Sequence, residues 1–257
     1  MDDVCQVAYI LPMTEIRPSA PRRRPDVGGY ARGEETRARI MAAAQRVFAE
    51  EGYSRASTRH IAEAAGVTPP ALQYYFDSKE GLHRACAHAI AKEIWLALDE
   101  AKARMAAADG RASSIDALCD FLDAMAELSL GQSAAGWKPF IGRTQADGAG
   151  PAAGVMLEEV SRPLHEAVSQ ALGRILGAPA DSDGVRLRAS AIMAPISALH
   201  TGRANTLAIL GWPDYEDERL AAVKAMLRSH TRAALGAAEG SRRRPREGSR
   251  RAARDGE

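Results

Sequence analysis

The sequence lacks the features that would make it a disulfide-stapled, membrane-spanning or zinc-folded protein. Only three of its 257 residues are cysteine. Cys5, Cys86 and Cys119 form no CxxC and no Cys/His pair at metal-ligand spacing, so they read as free thiols in a reducing compartment. No window approaches the roughly 18 to 20 apolar residues that a bilayer span needs. The apolar stretch 7–11 is short and has no basic flank, which argues against a secretory signal. A cytoplasmic location is therefore expected. The period-two alternation of strands is almost absent, and no repeat of solenoid length occurs.

Catalytic and metal-binding patterns are missing as well. His60, His83, His88, His165, His200 and His230 are scattered, with no HExxH and no His–His pair at helical spacing. His83 and Cys86 lie three apart on a helix, but two ligands are too few to hold a metal, and a packed thiol fits as well. Glu158, Glu159 and Glu166 flank His165, yet neither a nucleophile elbow nor a phosphate-cradling glycine loop accompanies them. We expect no enzyme activity, no cofactor and no metal.

Charge is nearly balanced, with 34 Lys and Arg against 33 Asp and Glu, but it is unevenly laid out. Residues 1–20 carry −2, 21–81 carry +2, 82–240 carry −3 and 241–257 carry +4. Basic charge at the front segment and the tail, with an acidic body between, suits a polyanion on one face. Residues 1–33 and 240–257 have the Pro, Gly and Arg composition of disordered arms. Their triplets Arg22–Arg24 and Arg242–Arg244 serve either as solvated charge or as loose phosphate contacts.

Between the arms the apolar spacing is helical, which predicts an all-α fold. Ile40, Met41, Ala44, Val47 and Phe48 mark one face of a helix that begins near Glu34 and stops at Gly52. Ser57 can cap a short helix to Ala65, and Thr68 a third helix with Pro69 and Pro70 in its first turn, where a missing N–H is harmless. Ser78 can cap a long helix to about Ala107. Further helices are expected near Ile115–Leu130, Lys138–Gln145, Gly154–Leu176, Asp183–Leu210 and Tyr215–Ala238, separated by Gly and Pro clusters.

Two short helices meeting at Gly66-Val67 have the helix-turn-helix layout. Ile61, Ala62, Val67, Leu72 and Phe76 are spaced to form its core, which leaves Thr68, Pro69, Gln73 and Tyr74 outward on the second helix. Gln73 can pair bidentately with adenine in a major groove. Tyr75 and Lys79 stand at the far end, where a phenol and an ammonium can hold phosphates.

In residues 34–82 the Ser57-Thr58-Arg59 opening, the Ala65-Gly66-Val67 turn, the Tyr74-Tyr75-Phe76 element and Ser78-Lys79-Glu80 resemble the DNA-binding head of the TetR family of bacterial repressors. The resemblance implies DNA contacts at Thr58, Arg59, Thr68, Pro69, Gln73, Tyr74, Tyr75 and Lys79. Gln73 replaces a common Tyr and Pro70 adds a second proline, so the bases read should differ. Ala85-Cys86-Ala87, Lys138-Pro-Phe-Ile-Gly-Arg143, Ser161-Arg-Pro-Leu-His165 and Leu207-Ala-Ile-Leu-Gly-Trp212 resemble the ligand domain of the CecR (YbiH) subgroup. Thr144 stands where that resemblance leads one to expect an acid.

Trp95, Phe121, Trp137, Phe140, Met193 and His200 are either plain core or the walls of an effector cavity. His165 is added to the effector set, as are Arg143 and Arg203, which either pair with a local acid or wait for an anionic or carbonyl-bearing ligand. The last two helices are rich in small residues (Ala189, Ala191, Ala194, Ala198, Gly202 and Ala204; Ala221, Ala222, Ala225, Ala233 and Ala234), which suits an internal bundle or a subunit interface. The resemblance implies a two-fold dimer through them, as a palindromic operator requires. The expected organisation is an N-terminal arm (1–33), a three-helix helix-turn-helix head (34–82), a helical effector-binding and dimerisation domain (83–239) and an Arg-rich tail (240–257). The expected function is a homodimeric repressor that leaves operator DNA when an unidentified small-molecule effector binds, with no membrane partner. A helical carrier or enzyme with a degenerate head is the rival reading, and an activator or an architectural DNA-binder a third.

Overall fold

The computed structural model describes residues 27–132, 136–148 and 150–243. All regular structure among them is helical. Cys5, Arg22–Arg24, residues 1–26 of the expected arm and residues 244–257 of the expected tail lie outside the described residues. Among the described residues, 27–36 fall in one unit and 37–243 in a second. In the first, the Thr36 hydroxyl donates to the Arg32 carbonyl (2.8 Å) along the opening turns of helix α1.

Helix α1 (Val27–Arg55) starts seven residues earlier than its apolar stripe predicts. Gly52 does not end it but kinks it, at φ 78° and ψ 163°, a backbone region that only glycine enters cheaply. The next three helices begin where their caps predict. The Ser57 hydroxyl accepts from the His60 N–H (3.1 Å) at α2 (Thr58–Ala64). Thr68 accepts from Ala71 (3.4 Å) at α3 (Pro69–Phe76). Ser78 accepts from Gly81 (2.9 Å) at α4 (Lys79–Ala107). Each cap satisfies a backbone donor that the helix cannot. Ile61, Ala62, Leu72 and Phe76 are buried, with Val67 packed at their edge.

The remaining helices are α5 (Arg111–Leu130), α6 (Lys138–Asp147), α7 (Pro151–Met156), α8 (Arg162–Leu176), α9 (Asp183–Thr201), α10 (Arg203–Leu210) and α11 (Asp217–Arg243). Two runs expected as single helices are interrupted. Between α7 and α8 the stretch Leu157–Ser161 is π-helical, and the Arg162 N–H reaches back to the Leu157 carbonyl. Pro163 follows and has no N–H to offer. The Glu159 carbonyl four residues before it instead accepts from the Trp95 indole (2.7 Å). Between α9 and α10, Gly202 leaves helical geometry at φ −89°, ψ 15°.

Helix α4 packs along α5 and α7, α5 contacts α8, α9 and α11, α11 also touches α9, and α6 rests on α7 and α9. The α5–α11 contact has an apolar seam, including Leu118, Leu122, Val223 and Leu227, edged by ion pairs. Arg228 meets Asp120 (2.5 Å) and Asp123 (2.7 Å), Arg232 meets Asp116 (2.8 Å), and Lys224 meets Glu127.

A Cβ added at Gly52 would fall 2.7 Å from Arg143 Nη2 and 2.9 Å from Asp147 Oδ2. Combined with the positive φ, Gly52→Ala should cost about 1 to 3 kcal/mol. Urea unfolding of the two proteins measures it; an unchanged midpoint would mean that the kink is not held.

Candidate nucleic-acid interface and ligand cavity

The second helix of the helix-turn-helix presents a polar outer face. Gly66, at φ 64°, makes the turn, and α3 then leaves Thr68, Pro69, Gln73 and Tyr74 exposed, Tyr74 at 83%. Gln73 and Arg59 are exposed and have no side-chain hydrogen bond among the described residues. Thr58 is half-buried, as is Tyr75, whose ring meets Tyr74 edge-on at 5.4 Å. Seven of the eight expected contact residues thus lie on α2, α3 or the turn between them.

Lys79 is the correction. Its ammonium donates to the carbonyls of Tyr53 (2.9 Å), Ala56 (3.1 Å) and Ser54 (3.4 Å) and lies 4.5 Å from the Tyr53 ring centre. An ammonium has three donors, and all three are spent on closing the C-terminal end of α1, so the side chain ties α4 to α1 rather than reaching outward.

Above the head, α4, α5, α6, the π turn, α8 and α9 enclose a cavity of about 530 Å³. Of the nine residues expected at an effector site, Trp137, His165, Met193 and His200 line it. Five expected residues do not. Phe121 is fully buried in the core of α5. Trp95 is held by the Glu159 carbonyl, with the Lys102 ammonium 4.5 Å from its ring. Phe140 packs on His83 (5.1 Å) and Phe48 (6.3 Å). Arg143 lies 3.0 Å from Asp147, and Arg203 pairs with Asp214 and donates to the Leu130 carbonyl (3.1 Å). Both arginines have the local acids that their first reading required.

Residues that sequence reasoning missed include Leu98, Met125, Thr144, Gln145, Met156 and Leu157. For α6 the signal was available. At 100° per residue, Trp137, Ile141, Thr144, Gln145 and Gly148 share one face, and they line the cavity. Phe140, Arg143 and Asp147 share another, which faces the kink of α1.

His83 sits where α1, α4, α6 and α7 meet. It is 3% exposed, lies among the rings of Phe48 (4.5 Å), Tyr53 (4.7 Å) and Phe140, and its Nδ1 accepts from the Ala152 N–H (3.3 Å). Accepting at Nδ1 requires the neutral ring with its proton on Nε2. Burial, opposed by Asp147 and helped by Lys79, pushes its pKa from 6.5 down to about 4. Burial likewise pushes the Cys86 thiol up to about 12. Cys86 and Cys119 are free thiols, and among the described residues no three His, Cys, Asp or Glu side chains gather to hold a metal.

The comparisons with known proteins match this geometry at both ends. The family model "Bacterial regulatory proteins, tetR family" matches residues 40–86, and that of the CecR C-terminal domain matches residues 114–238. The chain belongs to the TetR family. It is a DNA-binding transcriptional regulator with a CecR-type C-terminal domain. The HTH-type transcriptional dual regulator CecR of Shigella flexneri is 29% identical over 206 residues, spanning 77% of this chain and 91% of that one. The transcriptional activator FasR of Mycolicibacterium smegmatis is 38% identical over 81 residues, 28% of this chain and 36% of the activator. Two solved structures share the fold. The regulator FadR of Bacillus subtilis, in complex with stearoyl-CoA, has a TM-score of 0.55 at 17% identity over 76% of this chain and 97% of that one. NalD of Pseudomonas aeruginosa has 0.53 at 20%, over 78% and 96%. No helix among the described residues is long and apolar enough to cross a membrane.

Because the folded state keeps His83 neutral below the pH at which an unfolded histidine charges, it binds fewer protons than the unfolded chain between pH 6.5 and about 4. This contribution to stability is complete above 6.5 and is lost as the pH falls toward 4. His83→Asn keeps an acceptor for Ala152 but does not titrate, so its unfolding midpoint should fall less than the wild type's between pH 7 and pH 5. Parallel declines would remove His83 from the account.

Proposed function

We propose that this regulator binds a two-fold operator as a homodimer, represses there, and is released when a small molecule occupies the cavity. The observation that carries the reading is the double role of α6, which lines the cavity with one face and packs on the kinked end of α1 and on His83 with another. In this reading residues 34–82 act as the head and 83–239 as the effector and dimerisation domain. Thr58, Arg59, Thr68, Pro69, Gln73, Tyr74 and Tyr75 contact DNA. Lys79 holds the head's position, and Trp137, His165, Met193 and His200 belong to the effector site.

Support for the dimer comes from an uncovered apolar surface on the C-terminal helices. Leu187 (72%), Ile209 (84%) and Leu210 (47%) are exposed, as are Ala191, Ala194, Ala198, Ala221, Ala222 and Ala225. A patch of this kind is unfavourable in water and suits self-association. Two recognition helices related by the dimer axis must match one DNA turn, about 34 to 36 Å. Movement of α6 against the head changes that separation. A coupling of about 1 to 3 kcal/mol loosens the operator about 5- to 150-fold, and operator DNA weakens the effector by the same factor. Activation at some sites is a second reading, favoured by the words "dual regulator" in the name of the Shigella relative.

Selection of bound fragments from random duplex DNA, followed by effector titration with and without the selected site, tests the whole reading; equal effector affinity in the two titrations would end the release mechanism. On that site Gln73→Ala should cost about 1 to 3 kcal/mol and relax the preference at one position. Equal loss on scrambled DNA would take Gln73 out of base readout. Ile209→Asp, a charge on the exposed apolar face, should give folded monomers in sedimentation. An intact dimer would move the interface elsewhere.

A further inference from the structure

The cavity wall has a chemical bias that goes beyond its being an effector site. Among the described residues, none that lines it is Lys, Arg, Asp or Glu. Most are aliphatic, methionine or tryptophan, and a volume of about 530 Å³ is in the range of sites that bury a drug-sized molecule. A charged ligand seated there would leave water without meeting a counter-charge on the wall, which is costly.

Of the polar lining side chains, the serines, Thr144 and Gln145 can each donate or accept, so only the two histidines can have a fixed role. His165 Nε2 lies 3.0 Å from the Arg186 carbonyl and 2.9 Å from the Ser190 hydroxyl, and its Nδ1 lies 3.4 Å from Ser169 Oγ. The carbonyl can only accept, so Nε2 carries the proton. His165 is therefore saturated, stitching α8 to α9. His200 is different. Its Nδ1 lies 3.2 Å from the Ser129 carbonyl and must donate to it, which fixes the proton on Nδ1 and leaves Nε2 a bare lone pair. No partner for Nε2 exists among the described residues. Burial first, then Arg203 and Lys138, push the His200 pKa down against the raising effect of the Ser129 bond, so the ring stays a neutral acceptor. Thr144, buried on the α6 wall, replaces the acid expected there and adds a hydroxyl rather than a charge.

Lys138 and Arg203 lie beyond His200, in a separate cleft that shares only Ser129 and His200 with the cavity. Lys138 donates to the Gly131 carbonyl, and Arg203 is held by Asp214 and the Leu130 carbonyl.

We infer that the effector is an uncharged, largely apolar molecule bearing a hydrogen-bond donor, a hydroxyl or an N–H, received by Nε2 of His200. The inference rests on the effector reading above and narrows it to a ligand class with one specificity-determining residue. A wall acceptor that has given up water for a ligand's donor discriminates strongly against an analogue lacking that donor, because the acceptor is then left unpaired.

Isothermal titration of the full chain with four matched biphenyl probes tests this: 4-phenylphenol (neutral donor), 4-methoxybiphenyl (neutral, no donor), biphenyl-4-carboxylate (anion) and 4-phenylbenzylamine (cation at neutral pH). 4-Phenylphenol should bind at least about tenfold more tightly than each of the others. His200→Phe should erase the gap between the phenol and its methyl ether, and His200→Gln, which keeps an acceptor, should retain part of it; circular dichroism melts check that both variants fold. Tightest binding of the carboxylate or the amine would overturn the ligand class. Equal binding of the two neutral probes, or a gap that survives in His200→Phe, would overturn the role of His200 while leaving the cavity as a binding site. Absence of binding by all four would overturn this inference together with the effector reading on which it rests.

Discussion

A rigid ten-residue helix cannot turn one face without turning the other, and the rest of this molecule is arranged around that constraint on α6. Ile141 and Thr144 are buried toward the cavity, while Phe140 is buried toward His83 and Phe48. Neither contact can change alone. What anchors α6 on the head side is geometry that only glycine permits. The kink at Gly52 brings backbone to within reach of Arg143 and Asp147, and a side chain there would occupy the space that they fill. Lys79 fixes the same end of α1 from below by capping three carbonyls.

A separate set of contacts ties α11 to α5. Arg228 and Arg232 on α11 are matched to a row of aspartates on α5, Asp116, Asp120 and Asp123. Such pairs at the protein surface add little in water, so the apolar seam between the helices carries the stability and the charges fix their register. The π turn contributes a different kind of rigidity. Pro163 frees a carbonyl, Trp95 takes it, and the His88 ring reaches the Glu159 carboxylate (2.8 Å). An irregular segment that lines the cavity is thereby pinned to α4, the helix that leaves the head.

The head was readable in the sequence because its determinants are local. Ser57, Thr68 and Ser78 cap helices within three residues of themselves, and Gly66 makes a turn that needs a positive φ. The all-helical class followed from spacing in the same way. The cavity was only half readable because its walls are chosen by tertiary packing. Trp95, Phe121 and Phe140 have the right chemistry for a ligand wall, yet their neighbours turn them into a clamp, a core residue and a head contact. Arg143 and Arg203 looked unpartnered because Asp214 is eleven residues from Arg203, and Asp147, one turn from Arg143, counts only once α6 continues past Gln145. Helix interruptions were missed for a related reason. Neither Gly202 nor the stretch before Pro163 breaks the apolar periodicity, and the backbone change there depends on which carbonyls find other donors.

Under the proposed release mechanism, the energies suit a switch of modest size. Turning α6 disturbs the half-exposed Arg143–Asp147 pair, worth about 0 to 1 kcal/mol. It also disturbs the aromatic contacts of Phe140 with Phe48 and His83, each worth about 0.5 to 1.5 kcal/mol beyond burial. Together these come to about 1 to 4 kcal/mol, which overlaps the range of about 1 to 3 kcal/mol that couples two sites in one protein. A tighter junction would resist a ligand that occupies the cavity, and a looser one would let α6 move without the head. The burial that keeps His83 uncharged is thus what keeps this junction apolar, close-packed and within reach of a ligand's binding energy.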